Sequence, residues 1–474
     1  MLSELKAFSW LKPVLPAHIY HPYHTQMSQK SHVYQLPIML KNEAKHEECV
    51  DIMDEYESTL GEIFTKAFGS EDLFQKFKVP VGGDQLSRVR LEEAKNLRSL
   101  ATTRKKRFEN LDPIIIEFWH MKQDFLEKCY KELFKTSTLR QPGTVYHYKA
   151  KLQRSDVNGK VKGAFKSHHD FLLLIGKQMI IEQFLEYFGM ENRLSEPTKN
   201  VLTVSRSVLD RDREMNSMLD KFMSNYGYLN AYHETSDIKS VDISDTVYNY
   251  SSNLCHWVLQ LMMMEDVVKE GDIFRLIPCV MYTMPFFFAH SRLSKYFEEC
   301  LDFLLKTQFL LSPMQRIQVL EGAFTNIRGG VGNNIESDLA QEISVCNQKD
   351  LIRSLGANKS EKAILRSTRA ADTVSLICEH VDSSVNLKKT ASKHNIPKAE
   401  KDEQVVSASL RDLKPFKKIE GRSCGGLQSI LSSSLLKEDN EDFKYRINQV
   451  VSRLYYGQTS CTSYDSEGNN DDDY

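Results

Sequence analysis

The sequence has no pair of cysteines close enough to share a metal. Its nine Cys, at 49, 129, 255, 279, 300, 346, 378, 424 and 461, include no two within four residues of each other. That excludes zinc-ribbon and CxxC redox chemistry, and an odd, scattered set reads as the reduced thiols of an intracellular protein. No repeat of fixed period runs through the chain, and no GK[ST] follows its paired glycines, so a P-loop is excluded. An excess of one charge is missing too. Lys+Arg 62 against Asp+Glu 64 gives a net charge of -2, which excludes a globally basic nucleic-acid coat and leaves room for a local basic channel. The most apolar stretch, Ile273 to Ala289, carries Arg275, Pro278 and Pro285 and is shorter than a bilayer span needs. A buried helix or helix pair is expected there, and no membrane partner. The opening MLSELKAFSWLKPVLP has no apolar run ending in a small-residue cleavage site, so no secretory leader is expected.

What is present suffices for a large folded body. The chain has 474 residues, 41% hydrophobic and 27% charged, enough for two to three domains or one large one. Residues 1–30 hold His18, His21 and His24 among prolines, with His32 just beyond. With no Cys or acidic partner at ligand spacing, they read as an extended arm whose histidines do nothing joint. His32 to Leu40 reads as a short strand broken by Pro37, and Glu43 to Ala67 as an amphipathic helix.

An α/β segment is expected over 31–143. Lys78 to Val81 is a short strand ending in Gly82-Gly83-Asp84, and a helix follows over Ser87 to Leu100. Pro113 to Phe118 is continuous and β-branched, which suits a strand buried on both faces, and a helix over His120 to Phe134 comes next. The order β-α-β-α is that of a parallel or mixed sheet covered by helices. Residues 144–325 read as a helical insertion, with the Met262–Met264 and Phe286–Phe288 runs filling its core. A glycine-rich turn and late helices returning to the core occupy 326–380. A polar linker is expected over 381–410, a segment packing on the body over 411–457, and an acidic disordered tail over 458–474.

Three places could carry chemistry. Asp84 ends a strand after two glycines, where α/β sheets place their sites and where a hard cation such as Mg²⁺ finds oxygen ligands. The alternative is that Asp84 caps the next helix with Ser87. His120 and Asp124, spaced i and i+4, share one helix face near the end of the second strand. Asp338 and Glu342 repeat that spacing at the start of a helix after Arg328-Gly329-Gly330-Val331-Gly332. Lys149, Lys151, Arg154, Lys160, Lys162 and Lys166, interleaved with Tyr146 and Tyr148, could grip phosphates and stack a base. The run Arg104-Lys105-Lys106-Arg107 matches a weak nuclear-import pattern, so the nucleus is the suspected location.

GGDQLS, FWHMKQDFLEKCYKELF, GTVYHYKAKLQR, EQFLEYFGM, NIRGGVGNNIESDL and SLGANKSEKAI, in this order, resemble the domain of unknown function 6589, found in transposon-like proteins of animals and fungi. The resemblance covers about residues 30 to 455. It implies a ribonuclease-H-like integrase core with a large all-α insertion. In that plan Asp84 is the second catalytic acid and Glu342 the last, with Asp338 its rival, and paired Mg²⁺ ions are held between carboxylates for phosphodiester chemistry. The plan also has an earlier Asp at a strand end. Nothing between Met1 and Val81 matches it, since Asp51 and Asp54 fall in the expected helix. The expectation is therefore a transposable-element-derived relative of DNA-cutting enzymes that lacks its first acid, with DNA as partner and catalysis in question. The alternative is a domesticated, non-enzymatic nucleic-acid- or protein-binding helical module.

Overall fold

The structure, a computed structural model, describes residues 1–202, 208–227, 245–290, 295–385, 399–426 and 440–456. The expected tail over 458–474, Leu427 and Ile430, and residues 386–398 of the expected linker lie outside the described residues.

The protein is predominantly helical, and its two sheets are small. After a one-turn helix α1 (His24–Met27), helix α2 spans His46–Phe68. Cys49, Met53, Glu57 and Gly61 recur every four residues along it and form its buried stripe. Helix α3 (Asp72–Phe77) leads into strand β1 (Val79–Gly83), helix α4 (Gln85–Leu97), strand β2 (Leu111–Ile116) and helix α5 (Phe118–Leu133). β1 and β2 run parallel, with Val81 opposite Ile114, Gly82 opposite Ile115 and Gly83 opposite Ile116. Pro80, which has no N–H to donate, sits where the register slips between Val79 and Val81. A small core under the strands joins Cys49, Met53, Phe74, Leu91, Ala94, Phe108, Leu111 and Ile114.

The main core is mostly helical, with Ile115, Ile116 and Phe324 joining it from strands. It is built from α5, α6 (Val145–Lys151), α7 (Phe165–Phe188), α8 (Val208–Tyr226), α9 (Thr246–Glu270), α10 (Ile273–His290) and α11 (Lys295–Leu305), which continues into a π turn to Leu310. Phe125 of α5 meets Phe286 of α10 at 4.3 Å between ring centres, and Trp257 of α9 meets the same ring at 5.2 Å. Phe286, Phe287, Phe288 and Met264 are buried as expected. α10 is the one helix among the described residues long and apolar enough to cross a membrane; half of it is buried inside the fold, and Pro278 and Pro285 lie within it. Helix α12 (Pro313–Gly322) opens with a capping box between Ser312 and Gln315 and Pro313 in its first turn. The two-residue strands β3 (Phe324–Thr325) and β4 (Ile335–Glu336) pair antiparallel across the glycine-rich turn, and β4 runs straight into α13 (Ser337–Ser354). Helices α14 (Glu361–Arg369), α15 (Ala371–Ser384), α16 (Ala399–Leu413) and α17 (Asn440–Tyr456) follow.

Three expectations change. Residues 1–30 are not an extended arm: Leu5, Phe8 and Leu11 are buried, and Phe8 packs on Phe188 at 4.5 Å. Their spacing of three is the period of a 3₁₀ turn, which Lys6–Leu11 adopts. His32 to Leu40 forms no strand, and neither sheet among the described residues includes it. The polar stretch 381–410 is not a linker throughout. Its part in α16 buries Val406 and Leu410 against α7, and Arg411 binds Glu182 there. α17 closes on α11, where Phe443 meets Phe297 at 5.8 Å and Tyr455 donates to Asp302 at 2.8 Å.

Candidate functional site

The parallel pairing of β1 with β2 sets two acids side by side. It runs on past the strands through the Glu117 N–H, which donates to the Gly83 carbonyl at 3.0 Å. Asp84 follows β1 and Glu117 follows β2, so both sit at the C-terminal edge of the pair. Asp84 is the N-cap of α4, and its Oδ1 accepts from the Ser87 N–H at 2.7 Å. The cap read from the sequence is therefore present, and it engages one carboxylate oxygen.

Glu117 joins this edge without a motif of its own to mark it in the sequence. Its side chain folds over Gly82, where a Cβ would stand 1.6 Å from its Oε1. Its Oε2 is shielded from water and has no hydrogen-bond partner. Burial, then the negative charge of Asp338, pushes this carboxyl well above the ordinary carboxylate range. The signal in the sequence is a Glu that ends a β-branched run.

Helix α13 brings the distant acids to the same edge. Asp338 accepts from the Trp119 and His120 N–H groups, each at 3.0 Å, and from His120 Nδ1 at 3.0 Å. It thus caps the N-terminus of α5 from 218 positions away. Because a carboxylate only accepts, the His120 proton sits on Nδ1 in this pair. Glu342, 45% exposed, lies 4.0 Å from His120 Nε2. Burial pulls the His120 pKa down, but the hydrogen bond to Asp338 and the charges of Asp338, Asp84 and Glu342 together raise it above the usual histidine value. Asp124, one turn further along α5, is raised by burial, and its Oδ2 has no hydrogen bond. Tyr296 of α11 completes the surroundings. Burial, then the charges of Asp124, Asp84 and Asp338, raises its phenol.

Asp84, Glu117, His120, Asp338 and Glu342 are thus brought into one electrostatic neighbourhood, with Asp124 at its rim. As they stand, no three such side chains among the described residues enclose a common metal position. The neighbouring Lys122 and Glu336 form a buried ion pair that fixes α13 to α5.

The basic stretch is less uniform than its sequence suggests. Lys151, Lys160, Lys162 and Lys166 are exposed. Arg154 is bound to Asp156 by hydrogen bonds of 2.9 and 2.8 Å, which hold that carboxyl down at about 2. Lys149 lies over the Tyr146 ring at 5.7 Å. Tyr148 is fully buried, so its ring is not available to stack a base. Lys162 lies 4.0 Å from Glu127 of α5 and its charge acts on Asp124, which brings this stretch toward the acid edge.

No curated protein and no solved structure is significantly similar to the chain. The pattern of one family does match, from residue 4 to residue 394, across both the strand pair with its acids and the helical body. The chain belongs to the family of unknown function DUF6589.

Proposed function

We propose that the carboxylates at the C-terminal edge of β1 and β2 bind a divalent cation of the Mg²⁺ kind and act on phosphodiesters, in a protein of transposable-element origin built on the ribonuclease-H-like plan. The observation that carries this reading is the meeting at His120, where Asp338 and Glu342 of α13 contact the ring and the charge of Asp84 reaches it from β1. The donor set suits such an ion in kind. Glu117 Oε2 and Asp124 Oδ2 are buried acceptors without hydrogen bonds, and hard cations favour carboxylate oxygens. Asp84, Glu117 and Glu342 would hold the ion, and Asp338 positions His120. When bound, the ion polarises the phosphate and acidifies an attacking water. His120 Nδ1 is committed to Asp338, which leaves Nε2 as the nitrogen able to exchange a proton. No residue of 1–81 supplies the upstream acid of the plan, so weakened turnover is part of the reading.

The test is plasmid nicking by the full chain with Mg²⁺ or Mn²⁺, alongside calorimetric cation binding. Cation-dependent nicking that Asp84→Asn and Glu117→Gln abolish is the expected result. A wild-type chain that binds no cation more tightly than the Glu117→Gln chain overturns the proposal.

A second reading draws on a different observation: Asp84 and Asp338 already serve as helix caps. The chain would then be a domesticated module without catalysis that contacts phosphates through Lys151, Lys160, Lys162 and Lys166, in the nucleus if Arg104–Arg107 is an import signal. Salt-sensitive DNA retention without divalent cations, lost on charge reversal of these lysines, separates it from the first.

A further inference from the structure

We propose that His18, His21, His24 and Glu270 form a binding site for a divalent transition-metal ion of the zinc class, which staples the N-terminal segment to the end of α9. Glu270 is the last residue of α9 and is 5% exposed. His18 Nδ1 lies 2.8 Å from its Oε1, across 252 positions of chain. His24 Nε2 lies 3.3 Å from its Oε2. His21, 4% exposed, places Nε2 3.0 Å from the backbone carbonyl of the same glutamate. A carbonyl only accepts, so His21 carries its proton on Nε2, and Nδ1 of the neutral ring keeps a lone pair. The His21 and His24 rings are 5.4 Å apart, and those of His18 and His24 6.3 Å.

One of these donor atoms lacks any partner: His21 Nδ1 is buried and makes no hydrogen bond. Native folds rarely leave such an atom unsatisfied. His24 Nε2 and Glu270 Oε2, also buried and without a hydrogen bond, face each other only as an ion pair at 3.3 Å. His21 Nδ1 offers a lone pair as it stands, and His24 Nε2 would offer one on giving up the proton it presents to Glu270, as metal binding by histidine requires. Imidazole nitrogen with one carboxylate suits zinc and its neighbours, whereas Mg²⁺ and Ca²⁺ prefer oxygen throughout. Two zinc ligands in a tetrahedral arrangement sit about 3.3 Å apart, which matches the His24–Glu270 separation. The side chains now pair with one another and do not surround a common point. His18 is 43% exposed, so its ring can turn to admit an ion without unpacking the core.

The surrounding chain is shaped for this contact. Gly332 has φ +73°, and a Cβ there would stand 3.0 Å from His18 Cε1 and 4.0 Å from Glu270 Oε1. The same N-terminal segment holds the glycine-rich turn. The Gly330 N–H donates to the Ser28 carbonyl at 2.7 Å, and the Ser31 N–H donates to the Asn326 carbonyl at 2.8 Å. A metal at Glu270 would therefore brace the turn from which β4 and α13 depart.

The metal-free full chain is titrated with Zn²⁺ by calorimetry, and with Co²⁺ for the visible bands of a tetrahedral site. One tight equivalent is expected. His18→Ala and His24→Ala each weaken it at least ~10-fold. His32→Ala, at an exposed position outside the cluster, leaves it unchanged. Glu117→Gln also leaves it unchanged, which separates this ion from any at the acid edge. Glu270→Gln removes the equivalent in a chain whose circular dichroism matches wild type, and His18→Ala, at an exposed site, carries the test where the buried substitution does not fold. Equal zinc affinity in wild type, His18→Ala and His24→Ala overturns the proposal and leaves a metal-free histidine–glutamate clasp.

Discussion

Replacing Gly82 by Ala tests whether Glu117 lies over the strand pair. A Cβ at residue 82 would stand 1.6 Å from Oε1, 2.6 Å from Cδ and 3.0 Å from Cγ of Glu117. Non-bonded carbons and oxygens rest at about 3.5 Å or more, so the carboxyl must move by roughly 2 Å. The displaced group loses no hydrogen bond at Oε2, because it makes none there. The cost is therefore overpacking, about 1–3 kcal/mol. Glu117→Ala removes the obstacle along with a buried, unpaired oxygen. In that background Gly82→Ala should cost close to nothing, and the double-mutant cycle should show a coupling of about 2 kcal/mol. Urea unfolding of the four full-length chains measures it, with the fluorescence of Trp119, two residues from Glu117, as a local probe. A Gly82→Ala penalty of the same size with and without the Glu117 side chain refutes the placement of Glu117, and with it the make-up of the acid edge.

The other expectations are briefer. Asp84→Ala should destabilise α4 by about 1 kcal/mol through the lost cap, while Asp84→Asn keeps the cap and removes the charge; thermal unfolding of both variants checks it, and equal losses refute the capping role. Stability should fall as pH rises across neutrality. His120 has its pKa raised, after burial is overcome, by Asp338, Asp84 and Glu342, so its contribution is complete below the unfolded value of ~6.5 and is lost as pH climbs through the raised one. Glu117 has its pKa raised by burial and by Asp338, so stability declines as pH climbs from the unfolded value of ~4.3 toward the raised one. Asp338→Asn should flatten the first slope and Glu117→Gln the second, as measured by urea midpoints across pH. Asn326→Ala should strip partners from the Met27 and Gly330 carbonyls and the Gly329 N–H, each costing about 1–3 kcal/mol if left buried and unpaired; faster hydrogen exchange at the Trp119 and His120 amides would show the loss passing to α13, and unchanged exchange would show it does not.

Much of the strand edge was legible because its determinants are local. Two glycines before an acid, and an uninterrupted β-branched run, mark β1 and β2 whatever lies elsewhere. Asp84 as a cap followed from Ser87 three positions on. Asp338 and Glu342 were legible as a pair but not in rank: capping of α5 by Asp338 is a contact between helices remote in the chain. Glu117 was obscured because its special feature is the missing side chain beneath it, at Gly82 of the neighbouring strand. The histidines of the N-terminal segment looked unconnected for a related reason. Their acidic partner lies at the far end of α9, so no spacing rule within 1–40 could find it. The buried N-terminus was legible in principle. Leu5, Phe8 and Leu11 recur every three residues, a 3₁₀ period easily overlooked beside α and β patterns.

The acid edge collects Asp84, Asp338 and Glu342 around a single imidazole, with Glu117 close to Asp338 and Asp124 at the rim, and like charges so arranged resist one another. Each member meets that cost differently. Asp84 and Asp338 take N–H groups at helix N-termini, where negative charge is welcome. Glu342 stays exposed, where water screens it. These three each have a partner or solvent to set against their charge. Glu117 and Asp124 are different. Each carries a buried oxygen without a hydrogen bond, and each is pushed toward its neutral form. A fold needing only packing at those positions would be served at least as well by an apolar side chain of similar size. Under the proposed function, a cation beside Glu117 would draw that carboxyl into its ionised form. The functional question thus turns less on Asp84, whose capping role suffices to explain it, than on Glu117.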